Sequence, residues 1–289
     1  MRDSVRLRSP AKVNLYLDVH SGRRDDGYHS LCTLVQAVGL FDQVEIRRRP
    51  HGIRVRTDAP DVPADGTNLA ARAAAAFLAA CDVDEGVDIC LLKAIPARAG
   101  LGGGSSNAAA TLVGCRELFG LDVTDAELCR LAAGLGADVP FFVRGGTQVG
   151  HSRGEILEAV EPPLVGWVVI AKGSEGASTP DVYAEFDRAP ERAPMTIDVA
   201  LERIRQRQWS ALWNGLQGAA LRVAPAIRET RARLAEVSLG PVVVAGSGSS
   251  VFAVFSDAAS AQAACARVAP AVAFSRACPM IPRGVEVVG

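Results

Sequence analysis

Apolar and polar residues alternate with a period of two near the start of the chain, first at Val5 and Leu7 and then over residues 13–19. The same alternation returns at 44–47 and 53–56, where arginines occupy polar positions. Successive side chains of a strand point to opposite faces, so this period is typical of strands that bury one face. The beginning of the chain therefore predicts β-strands with a partly basic outward face.

Alanine-rich and capped segments follow. Asn68 can cap a helix through its side-chain oxygen, and the spacing of Thr124 and Glu127 is that of a capping box. A short apolar strand is predicted at 87–92. The predicted helices in this part of the chain are 69–81, 105–119 and 124–135.

The pattern changes near Glu161-Pro162-Pro163, because consecutive prolines interrupt regular structure. Beyond this point the predicted strands are 165–171, 242–245 and 251–255. The predicted helices are about 196–206, 209–221, 225–237 and 258–268. The mixture predicts an α+β fold with two domains, which we expect to span residues 1–155 and 156–289.

Composition argues against a nucleic-acid-binding protein, a membrane or secreted protein, and a zinc- or disulfide-based fold. The chain has 289 residues, with 31 Lys+Arg against 32 Asp+Glu, so we expect no nucleic-acid partner. No secretory signal or bilayer-spanning run is apparent, so we expect a cytoplasmic protein with no membrane partner. The seven cysteines include no CxxC pair, which favours buried thiols over a zinc site or a disulfide framework.

The densest chemical signal is the segment Pro96-Ala-Arg-Ala-Gly-Leu-Gly-Gly-Gly-Ser-Ser-Asn-Ala-Ala-Ala110, which follows a predicted strand and opens a predicted helix. Glycines allow a backbone to approach a ligand closely, and a helix start offers unpaired N–H groups to an anion. The segment lacks the Walker A lysine and matches GxGxxG incompletely. A flexible turn with a serine cap is the alternative, so the pattern favours a phosphate site of another kind.

The segment resembles the phosphate-binding motif of the GHMP kinases, a family named for galactose, homoserine, mevalonate and phosphomevalonate kinases. Its GLGGGSSNAA form is similar to one branch, which phosphorylates 4-diphosphocytidyl-2-C-methyl-D-erythritol. Other segments agree with that branch in order along nearly the whole chain. They are Pro10-Ala-Lys-Val-Asn-Leu15, Asp26-Gly-Tyr-His29, Gly136-Ala-Asp-Val-Pro140, Thr179-Pro-Asp-Val-Tyr183 and Gly246-Ser-Gly-Ser-Ser250.

The resemblance implies a ribosomal S5 domain 2-like N-terminal domain and a ferredoxin-like C-terminal domain. It implies ATP as phosphate donor with Mg²⁺, and a small-molecule acceptor. The metal ligands are not identified, and a monomer or a homodimer is expected. The implied ATP-binding residues are Ala97, Arg98, Ala99, Gly100, Leu101, Gly102, Gly103, Gly104, Ser105, Ser106 and Asn107. Arg98-Ala99 departs from the family's glycine-richer form, so Arg98 contacts either a phosphate or solvent.

The resemblance also assigns catalytic roles. Asp138 is the expected general base for the acceptor hydroxyl, and Lys12 is its charged partner near the transferring phosphoryl group. Asn14 lies two residues beyond Lys12, hence on the same strand face, and is an expected substrate contact. From the residues alone, Lys12 could be a solvated edge-strand lysine, Asn14 a surface amide, and Asp138 a helix cap or an Asx turn.

At the acceptor end, the resemblance implies that Tyr28 and Tyr183 stack on a cytosine ring while His29 hydrogen-bonds its edge. Gly246, Ser247 and Gly248 are expected near the acceptor phosphates. Loop packing and a hairpin turn are the plainer interpretations of these residues. Two other functions stay open: a GHMP kinase for a small alcohol such as mevalonate or homoserine, and a nucleotide sensor without catalysis.

Overall fold

The computed structural model describes residues 2–289. Its strands are β1 Ser4–Arg23, β2 His29–Arg49, β3 Ile53–Thr57, β4 Gly86–Leu92, β5 Thr147–His151, β6 Ile156–Ala159, β7 Trp167–Lys172, β8 Trp213–Asn214, β9 Val243–Val244, β10 Val251–Phe255, β11 Phe274–Pro279 and β12 Glu286–Val287. Its α-helices are α1 Leu69–Ala80, α2 Gly103–Phe119, α3 Asp125–Ala133, α4 Val139–Arg144, α5 Thr179–Arg188, α6 Ile197–Arg205, α7 Gln217–Val223, α8 Ala226–Ala235 and α9 Ala258–Val268.

Two antiparallel strands, β1 and β2, form the axis of the larger sheet and pair from Ser4↔Arg47 to Arg23↔His29. The sheet runs β12-β1-β2-β4-β3, with β5 beside β2, β6 beside β5 and β8 beside β1. The predicted alternation holds at the start of β1 and disappears from Ala11 to Leu17, where every residue is buried. That stretch is enclosed on both faces because further chain packs on each side of it.

The smaller sheet is antiparallel throughout and runs β11-β7-β10-β9. Apolar side chains of its strands pack with Ala261, Ala264 and Val268 of α9 and with Ile227 and Leu234 of α8. Helices and antiparallel strands therefore form separate layers, which confirms the predicted α+β class. None of the helices in residues 2–289 combines the length and the apolar character that a bilayer crossing requires.

The predicted helix over 209–221 is wrong. A three-residue 3₁₀ turn at Trp209–Ala211 leads into β8, and α7 begins only at Gln217. The side chain of Asn214 donates to the carbonyl oxygens of Val244 and Gly246, both at 2.7 Å. These tertiary bonds, with the pairing of β8 to β1, override the helical preference of the sequence.

Other predicted elements lie close to their observed bounds. The side chain of Asn68 caps α1, and the capping box of Thr124 and Glu127 opens α3. Helix α2 begins at Gly103, two residues before the predicted start. Strand β6 pairs with β5 and extends the larger sheet as far as Ala159. The predicted domain boundary between residues 155 and 156 stays a prediction.

A buried carboxylate on β2 fixes the start of α2 to the sheet. Asp42 is fully buried and accepts hydrogen bonds from the backbone N–H groups of Ala94 and Ile95, each at 2.8 Å. Its second oxygen contacts the Lys93 ammonium and accepts from Asn107 Nδ2 at 3.0 Å. Lys93 also donates to Asn107 Oδ1 at 2.7 Å. The Asp42 carboxylate thus bonds both to the first turn of α2 and to the segment that precedes the glycines.

Replacing this carboxylate is expected to destabilise the fold strongly. In Asp42→Ala the buried Lys93 ammonium loses its counter-charge, so the free energy of unfolding should fall by about 3–5 kcal/mol. Urea denaturation followed by circular dichroism measures the change. Glu229→Ala is the control, because Glu229 is exposed and its ion pair with Arg233 spans 3.8 Å, for which we expect a loss below about 1 kcal/mol. Equal losses in the two variants would contradict the assignment.

Candidate active site

One cavity has a volume of about 1280 Å³. It lies between β1, the tip of the β1–β2 hairpin, the glycine-rich segment, the start of α5 and the turn at 246–248. The structure brings most of the predicted site residues onto this one cavity. They are Lys12, Asn14, Tyr28, His29, Arg98, Gly100, Gly102, Ser105, Asp138, Tyr183, Gly246, Ser247 and Gly248.

The side chains of the remaining residues predicted for the ATP site do not line this cavity. Ala99 and Leu101 are buried, and Asn107 is held in the Asp42 network. Ala97 lines a second cavity of about 310 Å³ next to Lys93 and Ile95. The last three are Gly103, Gly104 and Ser106, which belong to the first turn of α2. These residues therefore shape the loop and the helix start instead of the wall of the large cavity.

A buried lysine and a half-exposed aspartate meet in the middle of the cavity. Lys12 is 5% exposed, and its Nζ donates to Asn14 Oδ1 at 2.8 Å and lies 3.5 Å from Asp138 Oδ2. The Asp138 side chain is 49% exposed and makes no capping hydrogen bond to α4. The solvated lysine and the capping aspartate are thereby both excluded. A free carboxylate faces the cavity with a cation behind it.

The glycine-rich segment is built around left-handed backbone. Gly100 has φ +75° and Gly102 has φ +72°, a region that L residues with a Cβ rarely adopt. A Cβ at Gly100 would overlap the carbonyl oxygen of Ala245, and one at Gly102 would lie 2.6 Å from Cζ of Phe142. The segment therefore needs glycine both for its backbone angles and for its packing.

Helix α2 points its start toward the cavity. Its first internal hydrogen bond runs from the Ser106 N–H to the Gly102 carbonyl oxygen at 2.8 Å. The N–H groups before Ser106 have no acceptor inside the helix, and Ser105 lines the cavity beside them. Free N–H groups and the positive end of a helix dipole form a site for anionic oxygens.

The turn at 246–248 closes the cavity against the same lysine. A Cβ at Gly246 would lie 3.5 Å from Lys12 Nζ and 3.2 Å from the Gly100 carbonyl oxygen. The hydroxyls of Ser247 and Thr179 are 2.7 Å apart, so this turn is tied to the first residue of α5. The turn thus packs against both the glycine-rich segment and the start of α5, and its place near the acceptor phosphates stays a prediction.

Aromatic side chains form the other end of the cavity. The His29 ring is 4% exposed and stacks on the Tyr183 ring with centroids 5.4 Å apart and planes 28° apart. Tyr28 is 59% exposed, with the Arg153 guanidinium 5.2 Å above its ring. Burial, helped by Asp138, raises the pKa of Tyr183 to about 12. Its hydroxyl is consequently neutral at ordinary pH.

Sequence reasoning missed several charged residues of the cavity wall, namely Arg23, Asp26 and Arg153. With Lys12 and Arg98 the wall holds four cations against the two carboxylates of Asp26 and Asp138. Asp26 belongs to the Asp26-Gly-Tyr-His29 motif, but no role was predicted for its side chain. The two arginines stand in no motif, so no local signal identifies them. The excess of positive charge suits an anionic ligand.

Comparisons with known proteins agree with this geometry. The model of the GHMP kinases N terminal domain matches residues 68–146, and that of the GHMP kinases C terminal matches residues 199–272. A 4-diphosphocytidyl-2-C-methyl-D-erythritol kinase of Moorella thermoacetica is 40% identical over 92% of this chain and 95% of its own length. One from a Nocardioides species is 40% identical over 84% of this chain and 85% of its own length.

The chain belongs to the GHMP kinase family. Within the family it belongs to the branch of these relatives, so the recognised resemblance is confirmed. It is therefore an ATP-dependent phosphotransferase, with the two-domain fold expected of GHMP kinases.

Solved structures of GHMP kinases are similar to this chain over nearly its whole length. The crystal structure of a 4-(cytidine 5'-diphospho)-2C-methyl-D-erythritol kinase has a TM-score of 0.81 and 34% identity, covering 95% of this chain and 98% of its own. A homoserine kinase from Cytophaga hutchinsonii has a TM-score of 0.75 at 20% identity, covering 100% and 98%. This second GHMP kinase shows the shared fold alone.

Gly100 and Gly104 make a paired test, because a Cβ would clash with neighbouring atoms at Gly100 and would have room at Gly104. Gly100→Ala should reduce the free energy of unfolding by about 2–4 kcal/mol, because it adds strained backbone to a clash with Ala245. Gly104→Ala should leave stability unchanged or raise it by up to about 1 kcal/mol, because alanine favours helix. A Cβ at Gly104 would meet only Leu69, at 3.7 Å. Thermal unfolding of both variants is the measurement, and a stable Gly100→Ala would contradict the described loop.

Proposed function

We propose that this GHMP kinase transfers the γ-phosphoryl group of ATP to the 2-hydroxyl of 4-diphosphocytidyl-2-C-methyl-D-erythritol, in the non-mevalonate route to isoprenoid precursors. The observation that carries the proposal is the cavity itself. The Lys12–Asp138 pair lies between the start of α2 and the aromatic residues Tyr28 and Tyr183. The names of the most similar relatives support the same acceptor.

In the proposed chemistry Asp138 is the general base. Its exposed carboxylate accepts the proton of the acceptor hydroxyl while that oxygen forms a bond to the γ-phosphorus and the bond from phosphorus to ADP breaks. Lys12 is held at the base by Asn14 and places its positive charge where negative charge collects. The free N–H groups at the start of α2 bind the phosphate oxygens.

The second cavity suggests where the nucleoside of ATP lies. It is next to residues 93–97, the segment that leads into the glycines, and Val62 and Ile95 give it apolar walls. A base placed there would leave its phosphates within reach of the start of α2. Ala97 belongs to this part of the site, which accounts for its absence from the large cavity.

Magnesium fits the site as a companion of the phosphates. Within residues 2–289 there is no group of three His, Cys, Asp or Glu side chains that could hold a metal. Mg²⁺ commonly keeps several waters and binds through substrate phosphates with one or two protein oxygens. Ser105, on the cavity wall at the start of α2, would supply such a protein oxygen. When bound, the ion neutralises phosphate charge.

The acceptor end favours a nucleotide-linked alcohol over a small one. Tyr28, which is 59% exposed, lines the cavity from the hairpin tip, and Tyr183 lines it from α5. Planar rings stack on a base, whereas mevalonate and homoserine have no ring to stack. Both nitrogens of the His29 ring face protein oxygens. In this conformation His29 supports Tyr183 by stacking on it, and its hydrogen bond to the base edge stays a prediction.

The deciding experiment measures ADP release with ATP, Mg²⁺ and a panel of acceptors. The panel is 4-diphosphocytidyl-2-C-methyl-D-erythritol, mevalonate, homoserine and galactose. We expect turnover with the first acceptor alone, and a fall in kcat of roughly 10²–10⁴ for Asp138→Asn because a general base is lost. Steady-state kinetics gives both quantities.

Asp122→Asn is the matched control, because Asp122 is an exposed aspartate outside the cavity wall. It should leave kcat unchanged. Turnover of another acceptor would keep the kinase assignment and refute the proposed substrate. Binding of ATP without turnover of any acceptor would favour the sensor, and full activity of Asp138→Asn would refute the proposed base.

Arg98 gives a second test of the ATP site. It lines the cavity with backbone φ of +49°, and within residues 2–289 it has no side-chain hydrogen bond or ion pair. We propose that its guanidinium contacts the phosphates of ATP. Arg98→Gly should raise the KM for ATP about tenfold through the lost charge-assisted contact. It should leave thermal stability unchanged or raised, because glycine adopts positive φ without strain.

Arg207 provides the control for this substitution. It is also an exposed arginine with positive φ, +59°, and it lies outside both cavities. Arg207→Gly should change stability in the same direction and leave the KM for ATP unaltered. A normal KM in Arg98→Gly would show that this side chain faces solvent only.

A further inference from the structure

We infer that Asp187, which lies outside the wall of the cavity, is a positioning residue for the base-recognition end of the site. The inference rests on the proposed function, because it concerns the cytidine part of the acceptor. Asp187 occupies the last turn of α5. It has no place in any recognised motif, and only the contacts made by its two carboxylate oxygens point to it.

The first step is the packing of His29 against one face of α5. Tyr183, Phe186 and Asp187 are spaced i, i+3 and i+4, so they share a face of the helix. The His29 ring stacks on Tyr183 and meets Phe186 edge-on, with centroids 5.7 Å apart and planes 86° apart. Its Nε2 lies 2.9 Å from Asp187 Oδ1, close but poorly aligned for a hydrogen bond.

The opposite side of the His29 ring is fixed by the hairpin. Nδ1 lies 3.1 Å from the carbonyl oxygen of His20. The ring is 4% exposed and lies between this carbonyl oxygen and the Asp187 carboxylate. The Tyr183 ring, stacked on His29, is placed by the same contacts.

The second carboxylate oxygen reaches the tip of the hairpin through an arginine. Arg23 donates from Nε at 3.1 Å and from Nη2 at 2.6 Å to Asp187 Oδ2. Its third nitrogen, Nη1, donates to the Gly27 carbonyl oxygen at 3.2 Å. Gly27 precedes Tyr28, so one guanidinium connects Asp187 to the backbone that carries the exposed ring.

Asp187 therefore joins two elements that are far apart in sequence and that carry the two rings proposed to enclose the base. Tyr28 comes from the β1–β2 hairpin and Tyr183 comes from α5. Without the carboxylate, the Arg23 guanidinium loses its hydrogen bonds to α5, and the His29 ring loses one of its three neighbours on that helix. The gap between the rings would then vary, while Lys12, Asp138 and the start of α2 lie on other elements and stay in place.

The test is the Asp187→Asn variant, which keeps the size of the side chain and removes its charge. We expect the KM for 4-diphosphocytidyl-2-C-methyl-D-erythritol and the Kd of CDP to rise about tenfold, as for loss of a charge-assisted contact. The KM for ATP and the kcat at saturating acceptor should stay within about twofold of wild type. Isothermal titration calorimetry with CDP reports binding independently of turnover.

Two further variants separate positioning from general stability. Arg23 also lines the cavity, so Arg23→Met removes a wall cation as well as the contact and should impair CDP binding at least as much as Asp187→Asn. The double variant should be no worse than Arg23→Met alone, because the contact is already lost there. Glu185→Gln is the matched control: it lies on the same helix, its ion pair with Arg222 spans 2.7 Å, and it is outside the cavity. It should leave CDP binding unchanged.

The outcomes distinguish this inference from the proposed function. If wild type binds CDP and turns over the cytidylyl acceptor, and Asp187→Asn does so equally well, the proposed function stands and the inference is overturned. An equal rise in the KM for ATP, or the same loss in Glu185→Gln, would also overturn it. If wild type neither binds CDP nor uses the cytidylyl acceptor, the proposed function fails and the inference falls with it.

Discussion

The burial of one ammonium group determines how the centre of this site is built. Lys12 is 5% exposed, and a charge taken out of water must be met by oxygens and counter-charge. Asn14 Oδ1 at 2.8 Å and the Asp138 carboxylate at 3.5 Å supply both. Asn14 is oriented in turn, because its Nδ2 donates to Thr33 Oγ1 at 2.9 Å. The lysine therefore fixes the surroundings of the carboxylate that we propose as the general base.

The same lysine explains where glycine is required. A Cβ at Gly102 would lie 3.1 Å from Lys12 Cγ, and one at Gly246 would lie 3.5 Å from Lys12 Nζ. The backbone N–H of Lys12 donates to the Leu101 carbonyl oxygen at 3.0 Å. Two glycine-containing turns from distant parts of the chain thus close on one side chain. Backbone can approach the ammonium this closely only where side chains are absent.

Sequence patterns among neighbouring residues predicted helices and their caps better than they predicted contacts between residues distant in sequence. The side-chain cap at Asn68 and the capping box at Thr124 depend on neighbours in sequence, and the structure contains both. The helix predicted over 209–221 failed because Asn214 bonds to a strand some thirty residues later. The Lys12–Asp138 pair spans 126 positions, so its recognition needed the resemblance to a family. The contact of Asp187 with Arg23 spans 164, and no motif or resemblance pointed to it.

The two ends of the cavity differ in how they are made. The phosphate end consists of backbone, glycine turns and buried charge, where a substitution disturbs packing as well as chemistry. The other end, which is proposed to bind the cytosine ring, consists largely of partly exposed side chains on the hairpin tip and on α5. A few ion pairs join these two elements. A homoserine kinase with 20% identity keeps the fold at a TM-score of 0.75. In this chain the residues proposed to stack on the base lie on the hairpin tip and α5, apart from the glycine-rich segment proposed to bind phosphates. The one end can therefore change while the other is preserved.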